Sequence, residues 1–357
     1  MFLSLSLRLL VNAEALNMVE SVGNLSRHRT MPIVIKQDDG QYTIRYVPAV
    51  SGETIAHEYQ SMLVDLAPKY GLRIGTLTAA KEFIKYADDN YLEDIAPPKN
   101  QVDARRFEVD VLLHDVVADI GGFLYAGKTP VRRTSRFQAS YMIPALDSSH
   151  AVGLESQFHV RMALSQVERE EKTGQARPMI PYNVEVGSAL YTLTFNLDID
   201  GIAIPSTPLL NEKGMPVPKG KVEREEELIN QRIPRIKLAI DALTLLFTNL
   251  SFGAKKSRFH PITDVRSAVI TLSRMSDFVA SPGNYWTHIR DSVERAKKMT
   301  EALSRHGIKE KVNIFAVTKE DKDMAEETYD NVTFKVGNSL EEALLEVAKL
   351  VDQETSG

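Results

Sequence analysis

Cations, small hydroxyls and glycines recur together along this chain, a combination suited to holding a phosphate-rich anion. Within residues 17–29, Asn17, Ser21, Gly23 and Asn24 precede Arg27, His28 and Arg29. A glycine lets the main chain approach a ligand closely, and each arginine presents a planar fork of donors that matches phosphate. Ser51 and Gly52 stand just ahead of a helical pattern, where unpaired amides and the helix dipole favour an anion. Lys255, Lys256 and Arg258 follow a second helical pattern, where cations can equally cap the last carbonyls. Arg132, Arg133 and Arg136 suit phosphate or contacts between neighbouring chains alike. His159 and Arg161 alternate along a strand-like stretch and would share a face; the histidine could stack on a base, donate to phosphate, or be a satisfied surface group.

Enzymatic chemistry has less to stand on. His28, His57, His114 and His260 lack metal-ligand spacing, and neither a P-loop nor a G-x-S-x-G elbow occurs. Without cysteine there is no thiolate ligand, disulfide or cysteine nucleophile. No metal and no cofactor is expected. An endoribonuclease would need only His28 or His159 as general base beside arginines, but no acid and base stand at a spacing that commits them to one site.

The elements that must position these residues follow from periodicity. Leu3, Leu5, Leu7, Leu9 and Val11 alternate with Ser4, Ser6 and Arg8, as in a strand with one buried face. Ile55, Tyr59, Met62, Leu63 and Leu66 make a helical stripe between Ser51 as N-cap and Gly71 as terminator. Ala189, Tyr191, Leu193, Phe195, Leu197 and Ile199 predict the longest strand. Ile236, Ile240, Leu243, Phe247 and Leu250 predict a second core helix ending at Gly253, with Pro234 in its first turn. Ala268, Ile270 and Leu272 give another strand, Phe158, Val160, Met162 and Leu164 a further one, and Ser339 with Glu342 a capping box opening a last helix. This order suggests an α+β chain with a ferredoxin-like or RRM-like palm, residues 1–71 plus 181–275. Residues 72–180 read as an inserted lobe with helical patterns around Phe83 and Ile120, residues 203–222 as a projecting thumb-like loop, and residues 276–357 as an α/β extension.

At 357 residues the chain can hold one large core with insertions, and its 43% hydrophobic and 25% charged residues are ordinary globular values. Its 43 Lys plus Arg against 48 Asp plus Glu leave a charge of −5, so any nucleic-acid reading rests on local segregation of charge. The apolar opening lacks a basic n-region and is broken by Arg8, Asn12 and Glu14, and no apolar run approaches the ~20 residues of a membrane helix. A cytoplasmic protein with no membrane partner is expected.

The run from Asn17 to Arg29 resembles the glycine-containing N-terminal loop of the CRISPR-associated DevR (Csa-type) autoregulator family, the backbone subunit of archaeal type I-A Cascade. The resemblance continues in Pro48 to Thr54, in Arg132 to Phe137 and in Phe252 to Phe259, and spans roughly residues 1–275. It implies a non-catalytic subunit that binds crRNA along its backbone and stacks in a head-to-tail helical filament, with the guide's bases left to pair with target DNA. It also implies partners of other kinds: a small cap, a large subunit, a processing endoribonuclease and a helicase-nuclease. The competing readings are a ferredoxin-like endoribonuclease that processes CRISPR RNA, and a protein-only filament whose arginine loops bind acidic neighbours. Lys128 to Ala145 is also long, basic and partly extended, and competes with 203–222 for the thumb.

Overall fold

The computed structural model describes residues 1–37, 39–162, 179–250 and 252–356. In chain order the strands are β1 (Phe2–Glu14), β2 (Met18–Val22), β3 (Leu25–His28), β4 (Thr30–Lys36), β5 (Tyr42–Pro48), β6 (Phe123–Tyr125), β7 (Val131–Arg133), β8 (Phe137–Ala139), β9 (Ile143–Pro144), β10 (Gly153–Met162), β11 (Met179–Asp198), β12 (Ile262–Ser273), β13 (Val312–Thr318), β14 (Glu327–Tyr329) and β15 (Val332–Val336). The helices are α1 (Gly52–Leu66), α2 (Thr76–Ala79), α3 (Ala104–His114), α4 (Val116–Gly121), α5 (Glu225–Asn230), α6 (Arg232–Asn249), α7 (His288–Ser304) and α8 (Leu340–Ser356).

Among the described residues one mixed sheet of eleven strands runs in the order β14-β15-β13-β12-β1-β11-β3-β2, with β8, β9 and β10 also paired to β11. β1 lies at its centre, antiparallel to both β11 and β12, with Leu5 opposite Phe195 and Ile270. Its leucines are buried against the layer containing α1 and α6, where Tyr59 packs edge-on to Phe137 and Phe195 and donates its hydroxyl to the Ala239 carbonyl at 2.9 Å. The single buried face expected of β1 is a half-truth, because Ser4, Ser6 and Arg8 on the opposite face are buried too. The C-terminal part of the chain covers that face: the Ala280 amide donates to Ser4 Oγ at 3.0 Å, and the Arg8 guanidinium reaches Glu320 at 2.8 Å, Asp147 and the Gly283 carbonyl.

α1 begins as expected, with Ser51 Oγ accepting from the Thr54 amide, and its 3₁₀ continuation stops at Gly71, whose φ of 65° suits a residue without Cβ. α6 stops earlier than expected, at Leu250 in the left-handed region rather than at Gly253. Ile120 does lie in a helix, α4, but no helix forms around Phe83, where Lys81, Lys85 and Tyr86 all take positive φ. The expected boundary at residue 180 falls inside β11, whose first half pairs with β10, so these two strands do not divide between lobe and palm. Leu164 lies outside the described residues. At α8 the Glu342 carboxylate reaches the Asn338 amide at 2.7 Å while the Glu342 amide donates to Ser339 Oγ, a capping box shifted by one residue. No helix among the described residues is long and apolar enough to cross a membrane.

Candidate nucleic-acid interface

Beyond β1 the chain turns back as the β2–β3 hairpin, whose tip needs Gly23 at φ 62°. Nothing lies within 4 Å of where its Cβ would be, so this glycine serves the turn. Asn24 docks the tip on the β11 strand of the β10–β11 hairpin, accepting from the Asn183 amide at 2.8 Å and donating its side-chain amide to the Pro181 carbonyl at 3.3 Å. Ser21 and Arg27 are exposed; Arg27 pairs with Glu20 at 3.1 Å, a solvated contact that a phosphate can displace cheaply. Arg29 is half-buried, and its Nε donates to Asn17 Oδ1 at 3.0 Å. The same oxygen accepts the Ser51 amide at 2.8 Å, so one buried asparagine orients both an arginine and the start of α1. His28 sits differently from expectation. Buried, with Nε2 on the Glu14 carboxylate and Nδ1 on the Arg29 carbonyl, it cannot reach a ligand.

The loop after α6 comes to the same place. Gly253, at φ 100°, packs against Leu16, and the Ala254 amide donates to the Leu16 carbonyl at 2.7 Å, which fixes the loop beside the exit of β1. From there Arg258 Nη1 donates to the Tyr182 hydroxyl at 3.2 Å. The Tyr182 ring stacks on His159 at 5.2 Å and 21°, and Phe259 meets His159 edge-on at 5.5 Å. Tyr182, Val184, Lys255, Ser257, Arg258 and Phe259 line an open cleft of about 250 Å³. Burial pulls the Lys255 and Lys256 ammonium groups below their usual range, offset at Lys256 by Glu58. His159 Nε2 is buried without a hydrogen-bond partner among the described residues, and Arg161 lies two positions on in β10, opposite Ile180. Tyr182 carries no signal in the sequence, and Phe259 is marked there only as the aromatic end of the Phe252–Phe259 segment, directly after Arg258.

The β2–β3 hairpin, β10 and the cationic loop thus converge on one stretch of β11: β3 and β10 flank Asn183 and Val184, and the cationic loop reaches Tyr182 through Arg258. Residues 5–297 match the family model of the CRISPR-associated negative auto-regulator DevR/Csa2. The chain belongs to this family. Among its DevR/Csa2 relatives, the CRISPR-associated aCascade subunit Cas7/Csa2 2 of Saccharolobus solfataricus is 47% identical over 84% of this chain and 88% of its own. A second protein of that organism, CRISPR-associated protein Cas7/Csa2 1, is 37% identical over 76% and 79%. The Cas7/Cst2/DevR protein of Methanocaldococcus jannaschii is 26% identical over 84% and 90%. A chain of a solved CRISPR RNA-guided surveillance complex, pre-nicking, superposes with a TM-score of 0.50 at 10% identity, covering 98% of this chain and 100% of that one, a likeness of fold alone.

The DevR/Csa2 match takes in both cationic loops and ends within α7, so β13–β15 and α8 lie beyond it. It also takes in the Arg132–Arg136 segment, which the fold keeps away from the convergence. Arg136 pairs with Asp198 at 3.0 Å, and Asp198 and Tyr182 lie near opposite ends of the twenty-residue β11, on the order of 50 Å apart along an extended strand. Arg133 is a correction outright: fully buried, it joins Glu108 at 3.0 Å and Asp119, and Arg235 reaches the same aspartate at 2.8 Å. Buried charges of this kind hold α3, α4, β7 and α6 together and are closed to any ligand. Arg132, next to it on β7, is exposed. Gly52 and Ser51 also change role. A Cβ at Gly52 would overlap the Ala139 carbonyl, and Ser51 is buried at the cap, so this glycine admits β8 against the helix rather than an anion.

Proposed function

We propose that this chain is a non-catalytic, crRNA-binding backbone subunit of a type I-A CRISPR surveillance complex, repeated head to tail along the guide. The observation that carries the reading is the placing of Lys255 and Arg258 at the His159–Tyr182 stack, on the stretch of β11 that the Arg27-bearing strand β3 also pairs with, in a chain of the DevR/Csa2 family. Guide sequences differ, so a subunit that accepts any of them must grip phosphate and ribose and leave base edges free for target DNA. Cations with a sequence-tolerant stacking surface do that.

The strand order β12-β1-β11 with β8 outside it, and α1 and α6 as the two crossing helices, supports a ferredoxin-like palm. For the thumb, the β10–β11 hairpin is a better candidate than residues 203–222 or 128–145. Its strands pair over ten positions and leave Phe158 66% exposed, while the start of the 203–222 segment is tied to the core through Glu108 and Arg105. The contacts expected with cap, large subunit, processing endoribonuclease and helicase-nuclease go with the same reading, as does a cytoplasmic location. The nuclease alternative loses one of its two candidate bases with the burial of His28.

The test is to purify the protein from cells that express a guide array, then extract and sequence the bound nucleic acid. Intact repeat-spacer RNA is the expected result. A preparation free of RNA, or a fresh guide cut by the chain alone, would overturn the reading.

A further inference from the structure

The β1 exit holds a buried polar cluster that the RNA-binding reading does not use. At the bulge, where Ala13 takes φ 58°, Glu14 turns inward and is fully buried. Its carboxylate accepts the Tyr191 hydroxyl at 2.7 Å, the Leu16 amide at 2.8 Å and His28 Nε2 at 2.9 Å. Gly187 lies opposite on β11, and a Cβ there would run into the Glu14 carboxylate, so the glycine makes room for it. On its other side His28 Nδ1 lies 2.8 Å from the Arg29 carbonyl, and the His28 amide donates to Glu185 at 2.7 Å.

The Arg29 carbonyl only accepts. The Glu14 carboxylate, which despite its burial is held below its usual range by His28, the Leu16 amide and the Tyr191 hydroxyl, is ionised and accepts as well. Between these two acceptors both ring nitrogens carry hydrogen, and a neutral ring beside the ionised Glu14 would set a lone pair against an oxygen at one end. We propose that His28 is a buried imidazolium that positions the Arg27–Arg29 segment, so that affinity for RNA falls when the ring loses its proton. This deepens the RNA-binding reading given above and rests on it. Glu14 from β1 and Glu185 and Tyr191 from β11 are the titratable groups facing the ring, and Arg27 and Arg29 flank it in sequence. Burial works against the charged ring, but Glu14, the Arg29 carbonyl and Glu185 outweigh it and hold His28 above its usual range. The sign follows: the ordering contribution is complete below the unfolded value near 6.5 and is lost as pH rises through the higher folded value.

The experiment combines imidazole ¹⁵N NMR of the whole protein with the affinity for an unstructured RNA between pH 6.5 and 9, for wild type and His28→Gln, and with amide exchange at Arg27 and Arg29. The expected results are an imidazolium at His28 at pH 7, and an RNA affinity that falls roughly tenfold more steeply with pH in wild type than in the variant, about the worth of one charge-assisted hydrogen bond. A neutral His28 ring at pH 7 would overturn the proposal, and needs no variant that folds. So would parallel pH profiles in the two proteins, which would leave His28 a purely structural group that moves thermal stability alone. Should wild type bind no RNA at any pH, the functional reading fails by itself. Amide exchange then decides the proposal, which predicts faster opening at Arg27 and Arg29, beyond the intrinsic pH effect, only where His28 can lose its proton.

Discussion

Adjacent residues of a strand face opposite ways, so Arg132 and Arg133 should answer to substitution in opposite fashion. Arg133→Ala leaves the buried Glu108 without its cation and Asp119 with Arg235 alone, and should cost about 3–5 kcal/mol. Arg132→Ala should change stability by less than about 0.5 kcal/mol. Urea unfolding of the two variants checks both. At the convergence, Tyr182→Phe should keep the stack on His159 and the fold while freeing Arg258, whereas Tyr182→Ala should weaken RNA binding by about 1–3 kcal/mol, the worth of a stacking surface. Equal affinities of Tyr182→Ala and wild type by fluorescence anisotropy would remove the aromatic stack from the interface. Residue type and spacing pointed to the Arg27 and Lys255–Arg258 loops as candidate anion sites. They could not separate Arg27, exposed to solvent, from His28, locked in the core one position later, because burial at a bulge is decided by Glu14 and Tyr191, which are distant in sequence.

Elements were legible where a period ran long enough, as in β1, α1, β11 and α6, and less so where a partner from far along the chain changed the exposure of a face. β1 is the clearest instance: its alternation looks like one polar face, yet Arg8 on that face is buried by contacts with Glu320 and Asp147. The same contacts fasten the C-terminal elements to the centre of the sheet, with Ser267 also donating to Glu320 at 2.7 Å. Glu320→Ala should therefore cost about 3–5 kcal/mol by leaving the Arg8 charge under-compensated, and should expose the region after Ser273 to protease before the rest unfolds. Limited proteolysis with mass spectrometry reads the order of cleavage, and simultaneous loss of both parts would show that they do not open separately. The β2–β3 and β4–β5 hairpins are less legible for a simpler reason: β2 and β3 are short, and the alternating Tyr42, Ile44 and Tyr46 of β5 are exposed rather than packed on the core.

For the whole molecule, a charge of −5 supplies no net long-range attraction to RNA, so the proposed binding rests on the cations gathered locally at the candidate interface. That has a measurable form. Each phosphate neutralised on a single strand releases about 0.7 counterion, so a plot of log affinity against log salt should have a slope that counts the phosphates held by one subunit. Arg258→Ala and Arg27→Ala should each flatten it by roughly 0.7, and the paired substitution by about twice that, if the two loops grip separate phosphates. Because the contacts are to backbone, homopolymer and mixed-sequence RNAs should give the same slope and nearly the same affinity. A slope unchanged in either variant would take that arginine out of the phosphate path. An affinity that depended on sequence would mean that bases are read directly, which a subunit serving every guide could not tolerate.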